Sequence, residues 1–196
     1  MSYLWLLDNG HGIDTAGKRS PVWSDRTQLF EYEFNRSIIE RLKIQLDFAG
    51  IQYVELVPEL TDVSLRNRVH RANHYYGLHN CIFVSIHANA GGGTGWEVYT
   101  SRGFTRSDNI ATVFYNHADR SFPEMTMRQE WDDGDPDKEA DFYVLRHTLM
   151  PAILTENFFM DTYDPDCKML MNEAVRDQIA HAHYSAMFEI EMNGNY

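Results

Sequence analysis

Three side chains able to bind a metal stand in three separate segments of the chain: His11, Glu31 and His87. His11 follows the strand-like run Leu4-Trp5-Leu6-Leu7-Asp8-Asn9-Gly10, and His87 closes Cys81-Ile82-Phe83-Val84-Ser85-Ile86. Glu31 opens a helical stretch, Leu29-Phe30-Glu31-Tyr32-Glu33-Phe34-Asn35. In open α/β sheets, active sites form in the crevice outside the carboxyl ends of the strands. Two imidazoles and one carboxylate converging there, with a fourth position left for water, are what a catalytic zinc requires. Glu156 follows a third such run, Ala152-Ile153-Leu154-Thr155, and is placed to be the proton-transfer partner of zinc hydrolysis.

Each residue also has a plainer reading. Glycines on both sides of His11 permit a sharp bend and close approach to a ligand, which is not the setting of a core histidine. His87 is equally well a satisfied polar group at a strand end. Glu31 alone could only complement a helix dipole. Asn35, one turn later on the same face, could orient Glu31. Glu156 alone is paired, exposed or catalytic. Their joint placement carries the signal. Other candidates fall away. His70 and His74 have metal-capable spacing, but Arg71-Ala72-Asn73 lacks the glutamate of a zincin motif, which favours a solvated helix face. His181 and His183 do not share a helix face. Asp132, Asp133, Asp135 and Asp137 do not match a calcium-binding EF-hand loop and read as a solvated acidic loop. Trp131 beside them is a sugar-stacking platform or a loop anchor.

The elements that must position these groups alternate. Strands are expected at 3–7, 51–57, 81–87, 95–100, 142–146 and 152–157. Helices are expected at 28–49, 64–76, 108–122 and 167–190. Phe34, Ile38, Leu42 and Leu46 mark the buried face of the first helix, and Gly50 its stop. Met171, Val175, Ile179, Ala182, Ala186 and Ile190 mark that of the last. Residues 9–25 form a loop, and 123–140 a loop or short hairpin. The class is α/β with a mostly parallel central sheet flanked by helices, in a single catalytic domain over 1–196.

Bulk properties narrow the partners. The 196 residues are 43% hydrophobic and 23% charged, enough to bury a core. Seventeen Lys+Arg against 29 Asp+Glu give a net charge of -12, which argues against nucleic acid and against docking on anionic lipid. Cys81 reads as core, Cys167 starts the last helix, and their pair lacks metal-ligand spacing. With no basic leader and no apolar run long enough to span a membrane, the reading is a protein made in the cytosol without a signal peptide or membrane anchor.

The ordered motifs Asp8-Asn9-Gly10-His11-Gly12, Glu31-Tyr32-Glu33-Phe34-Asn35, Ser85-Ile86-His87-Ala88-Asn89 and Pro151-Ala152-Ile153-Leu154-Thr155-Glu156-Asn157-Phe158-Phe159 resemble those of zinc-dependent N-acetylmuramoyl-L-alanine amidases of the amidase-3 type. Val63-Ser64-Leu65-Arg66-Asn67-Arg68, Ala72-Asn73 and Val144-Leu145-Arg146 extend the likeness over nearly the whole chain. The resemblance implies a phosphorylase/hydrolase-like fold. It implies zinc on His11, Glu31 and His87, Glu156 as acid/base, and peptidoglycan as substrate. Zinc would activate water and polarise the lactyl carbonyl. A phage or prophage endolysin would account for a wall hydrolase without a leader. The alternatives are another zinc peptidase or deacylase on this fold and a non-catalytic peptidoglycan-binding module. Two departures stand out: Asn9 where proline is common, and a segment after Glu156 that lacks the usual glycine.

Overall fold

A computed structural model describes residues 2–132 and 134–194. Its centre is one six-stranded sheet, built from β1 (Leu4–Asn9), β2 (Tyr53–Glu55), β3 (Cys81–Asn89), β4 (Glu97–Thr100), β5 (Lys138–Glu139) and β6 (Ala152–Phe159), in the order β2-β1-β3-β6-β4-β5. β2, β1, β3 and β6 run parallel; β4 is antiparallel to β6, and β5 follows β4. β1 and β3 are apolar on both faces, as strands covered on both sides must be. One face carries α1 (Glu31–Ala49), α3 (Arg106–Ser121) and α6 (Glu173–Asn193) over the core of Trp5, Phe34, Ile38, Val84 and Ile153. The other carries α2 (Leu65–Tyr76) and α4 (Tyr143–His147) over Leu6, Phe83 and Leu154.

The helix ends follow local chemistry. Gly50 closes α1 in a left-handed conformation, φ 69°. Phe30 supplies no side-chain cap; the entry to α1 is held by an antiparallel bridge between Arg19 and Phe30 and by Glu31 N–H donating to the Lys18 carbonyl. α1 therefore starts at Glu31 and not at Gln28.

Three expectations need correction. Residues 142–146 form no strand: Leu145 and Arg146 N–H both donate to the Phe142 carbonyl, winding the run into α4. Five residues are too few to show a helical period, and a short apolar run with Val144 looks like a strand. The last helix is not continuous from Cys167. A wide turn (Tyr163–Cys167) and a short α5 (Lys168–Leu170) precede α6, which Asn172 caps by accepting from Ala174 N–H. The acidic segment is not wholly solvated either. Asp137 is buried and accepts from Thr100 Oγ1 at 2.6 Å; burial and neighbouring Asp135 raise its proton affinity. Asp133 lies outside the described residues. Trp131 is 56% exposed. Both cysteines are buried and unpaired.

His183 is a core residue of α6. Its Nδ1 bonds the Ile179 carbonyl and its Nε2 Thr155 Oγ1, and burial lowers its pKa to about 4. The unfolded chain therefore binds a proton there that the native one refuses, and stability falls as pH drops from about 6.5 towards 4. At ~1.4 kcal/mol per unit, the loss is about 3 kcal/mol. Urea unfolding at pH 7 and pH 5 should show about 2 kcal/mol of this loss in the parent protein and much less in His183→Gln.

Candidate metal centre

His11, Glu31 and His87 each offer one ligand atom, and these lie within 4.8 Å of one another. His87 Nδ1 is 3.0 Å and His11 Nε2 3.3 Å from Glu31 Oε1. Two donors on one tetrahedral zinc lie about 3.4 Å apart, so these separations suit it. Glu156 stands directly beside His87 in the β3–β6 register. All four expected residues thus gather at the carboxyl ends of β1, β3 and β6. Among the described residues no other cluster of three such groups occurs, and His70, His74, His181 and His183 belong to none.

Backbone constraints create this convergence. A Cβ on Gly10 would lie 2.0 Å from His87 Cε1, and one on Gly12 2.1 Å from the Asp62 backbone nitrogen. Both glycines serve close approach. The left-handed turn falls on His11 itself, φ 64°, a conformation costly for a residue with a side chain. Neighbours fix it. Asn35 Nδ2 donates to the Gly10 carbonyl at 2.9 Å, Arg36 Nη1 to that of His11 at 3.0 Å, and Arg68 Nη1 to that of Asn9 at 2.9 Å. Asn35 accordingly holds the His11 loop and does not orient Glu31.

A buried chain of polar groups supports His87, and the sequence reading did not single it out. His87 Nε2 lies 3.1 Å from Ser85 Oγ, which donates to Asp8 Oδ2 at 2.6 Å. Asp8 Oδ1 accepts from Arg68 Nη1 at 2.6 Å. With the Ser85 proton committed to Asp8, Ser85 Oγ accepts from His87 Nε2–H, which turns the Nδ1 lone pair towards Glu31. Ser85 and His87 are two apart on β3 and share a face, a period-two signal that was available. Arg68 and Asp8 are both buried, so removing Arg68 strands the Asp8 charge at a cost of about 3–5 kcal/mol, whereas Arg68 keeps its ion pair with Asp62 if Asp8 is lost. Ser85→Ala should weaken metal binding about 10- to 100-fold with the fold intact. Competition against a chromophoric chelator measures this, and an unchanged affinity would remove Ser85 from the account.

The donor set fits a divalent cation. His11 Nε2 and Glu31 Oε2 are buried without a hydrogen-bond partner among the described residues, an arrangement that costs free energy unless something binds there. Burial lowers the His11 pKa and keeps its lone pair available. Burial opposes the charge on His87, but the bond to Glu31 and its charge outweigh it and raise the His87 pKa. Burial likewise opposes the Glu31 charge, and the two histidines outweigh it and hold the carboxyl far down.

Glu156 differs. Burial raises its pKa to about 8; His87 and Lys18 act against this, and Glu31 and Glu97 reinforce it. Its Oε2 has no hydrogen-bond partner among the described residues. It lines a cleft of about 240 Å³ with His11, His87, Lys18 and the apolar Val63, Leu65 and Tyr143. A carboxyl tuned towards neutral pH in a cleft is suited to moving protons.

Beyond Glu156 the chain keeps its course without the expected glycine. Phe158 itself adopts φ 61°, fully buried, with its ring 5.1 Å from that of Phe122. Asn157 clamps the irregularity between β3 and β6: its Nδ2 donates to the His87 carbonyl, and its Oδ1 accepts from Trp96 Nε1.

Comparison with known proteins decides the family. The model of the N-acetylmuramoyl-L-alanine amidase family Amidase_3 matches residues 6–189. The chain belongs to this family. It is 36% identical over 182 residues to the N-acetylmuramoyl-L-alanine amidase CwlM of Bacillus licheniformis, covering 93% of this chain and 66% of that protein. It is 31% identical over 193 residues to the endolysin of Bacillus phage SPP1, covering 97% and 66% respectively. The chain thus spans just under two thirds of these relatives. The crystal structure of an N-acetylmuramoyl-L-alanine amidase from Clostridium difficile 630 superposes with a TM-score of 0.82 at 27% identity, covering 99% of both chains. The amidase family thereby accounts for the α/β architecture and for the order of the four motifs. No helix among the described residues is long and apolar enough to cross a membrane.

Proposed function

We propose that this amidase-family chain is a single catalytic domain that hydrolyses the amide between the lactyl group of N-acetylmuramic acid and L-alanine in peptidoglycan. His11, Glu31 and His87 hold zinc, and Glu156 is the acid/base. The observation that carries the reading is Glu156 in register beside His87, within a converged His-Glu-His set. Zinc, when bound, supplies Lewis acidity to water and to the lactyl carbonyl. Glu156 accepts the proton of the attacking water and returns it to the departing alanine nitrogen. Ser85, Asp8 and Arg68 keep the His87 ring oriented through this exchange. Val63, Leu65 and Tyr143 line one side of the cleft and limit water around the reacting amide. Likeness to the SPP1 endolysin supports a lytic setting, in which a phage delivers the enzyme to the wall.

Digestion of purified peptidoglycan, with mass analysis of the fragments, tests the activity. Free stem peptides with an L-alanine amino terminus are expected. Shortened stems still attached to muramic acid would assign a peptidase, and binding without release a non-catalytic module.

A further inference from the structure

Glu97 is a buried carboxylate that the mechanism does not use. It is the first residue of β4 and lies directly across from Glu156 in the antiparallel β4–β6 pair. It accepts from Arg128 Nε at 2.7 Å, Lys138 Nζ at 3.0 Å and Tyr99 OH at 2.8 Å. Two cations on one carboxylate leave a local charge of +1 in a chain of net charge -12.

Arg128 is the exposed member. Its side chain is 37% accessible, and its guanidinium lies 5.2 Å from the ring centroid of Phe159, the last residue of β6. Its backbone N–H donates to the Trp96 carbonyl, fixing it beside the start of β4. Because β4 is antiparallel, that start lies at the end of the sheet where β1, β3 and β6 finish. Glu97 engages only Nε, so the two terminal nitrogens have no hydrogen-bond partner among the described residues. A guanidinium held at Nε and stacked on a ring, with both terminal amino groups open, is preorganised for a planar carboxylate.

We infer that Arg128 is a specificity-determining residue that binds a free carboxylate on the stem peptide, at the residue following L-alanine. The inference rests on the amidase reading above. Adjacent strands are about 4.8 Å apart and an extended peptide advances about 3.3 Å per residue. A stem leaving Glu156 towards β4 runs towards Glu97, directly across the β4–β6 pair, and Arg128 is bonded to that carboxylate. Stems differ in chemistry at the residue following L-alanine, because its carboxyl occurs free or as its amide. A neutral amide offers one acceptor and no charge, so it cannot accept both parallel N–H bonds.

The test compares two muramoyl tripeptides, one with D-glutamate and one with D-isoglutamine after L-alanine, as substrates of the zinc-loaded protein. The parent protein should cleave the free carboxylate with kcat/KM about 10- to 100-fold higher, mainly through KM. Arg128→Gln should erase this preference by losing activity on the carboxylate substrate alone. Arg128→Lys, which keeps a charge on Glu97 without the fork, should restore it only in part. Equal cleavage of both substrates by the parent protein, or an equal fall on both in Arg128→Gln, would overturn the inference and leave Arg128 as a brace for Glu97. Failure of the parent protein to release an L-alanine-terminated peptide from either substrate would overturn the amidase reading, and this inference with it.

Discussion

Glu156→Gln is expected to cut kcat by about 10²–10⁴ while the protein retains zinc and its fold. Glutamine keeps the size and one hydrogen-bond acceptor of the side chain but cannot take a proton from water at neutral pH. Glu156 is not among the three converged donors, so metal content should not move. Stability should hold or rise, because an amide avoids the desolvation that pushes this carboxyl to about 8. Steady-state kinetics on a soluble muropeptide, paired with metal analysis, reads both quantities. Near-normal turnover with metal bound would make Glu156 a rim residue, and the proton acceptor would have to be sought elsewhere.

His11→Ala should behave in the opposite way, with metal and activity lost together. Among the described residues three side chains converge, so removing one leaves two donors, short of the three protein ligands typical of catalytic zinc. Turnover should fall to background, a larger effect than that of Glu156→Gln. His11 belongs to neither hydrophobic cluster, so the unfolding midpoint of the metal-free form of His11→Ala should change little. Equilibrium dialysis against zinc, followed by urea unfolding in chelator, separates the two effects. Retention of one tightly bound zinc would show that His11 is not a ligand.

The parts of this molecule legible in the sequence are those written in local chemistry. Gly10-His11-Gly12 announced a tight approach, and the structure supplies its object, the His87 ring under Gly10. Buried strands read directly as apolar runs in β1 and β3. The helical period of Phe34, Ile38, Leu42 and Leu46 gave the buried face of α1. What was not legible depends on contacts between distant segments. Nothing near Asn35 indicates that it bonds Gly10, 25 residues away. Ser85 looks like a polar accident in an apolar strand until Asp8 is set beside it by the β1–β3 register. Glu97 gave no signal, because its partners Arg128 and Lys138 arrive from a segment without a periodic pattern. α4 was misread because a single helical turn and a short strand share the same apolar composition.

Zinc-edge X-ray absorption on the purified protein tests the centre most directly. One zinc per chain is expected, with a shell of nitrogen and oxygen scatterers at about 2.0–2.2 Å that includes two imidazoles. The same spectrum should persist in Glu156→Gln. A sulfur shell at about 2.3 Å would place the metal on Cys81 or Cys167, and fewer than two imidazoles would contradict the His11–Glu31–His87 centre.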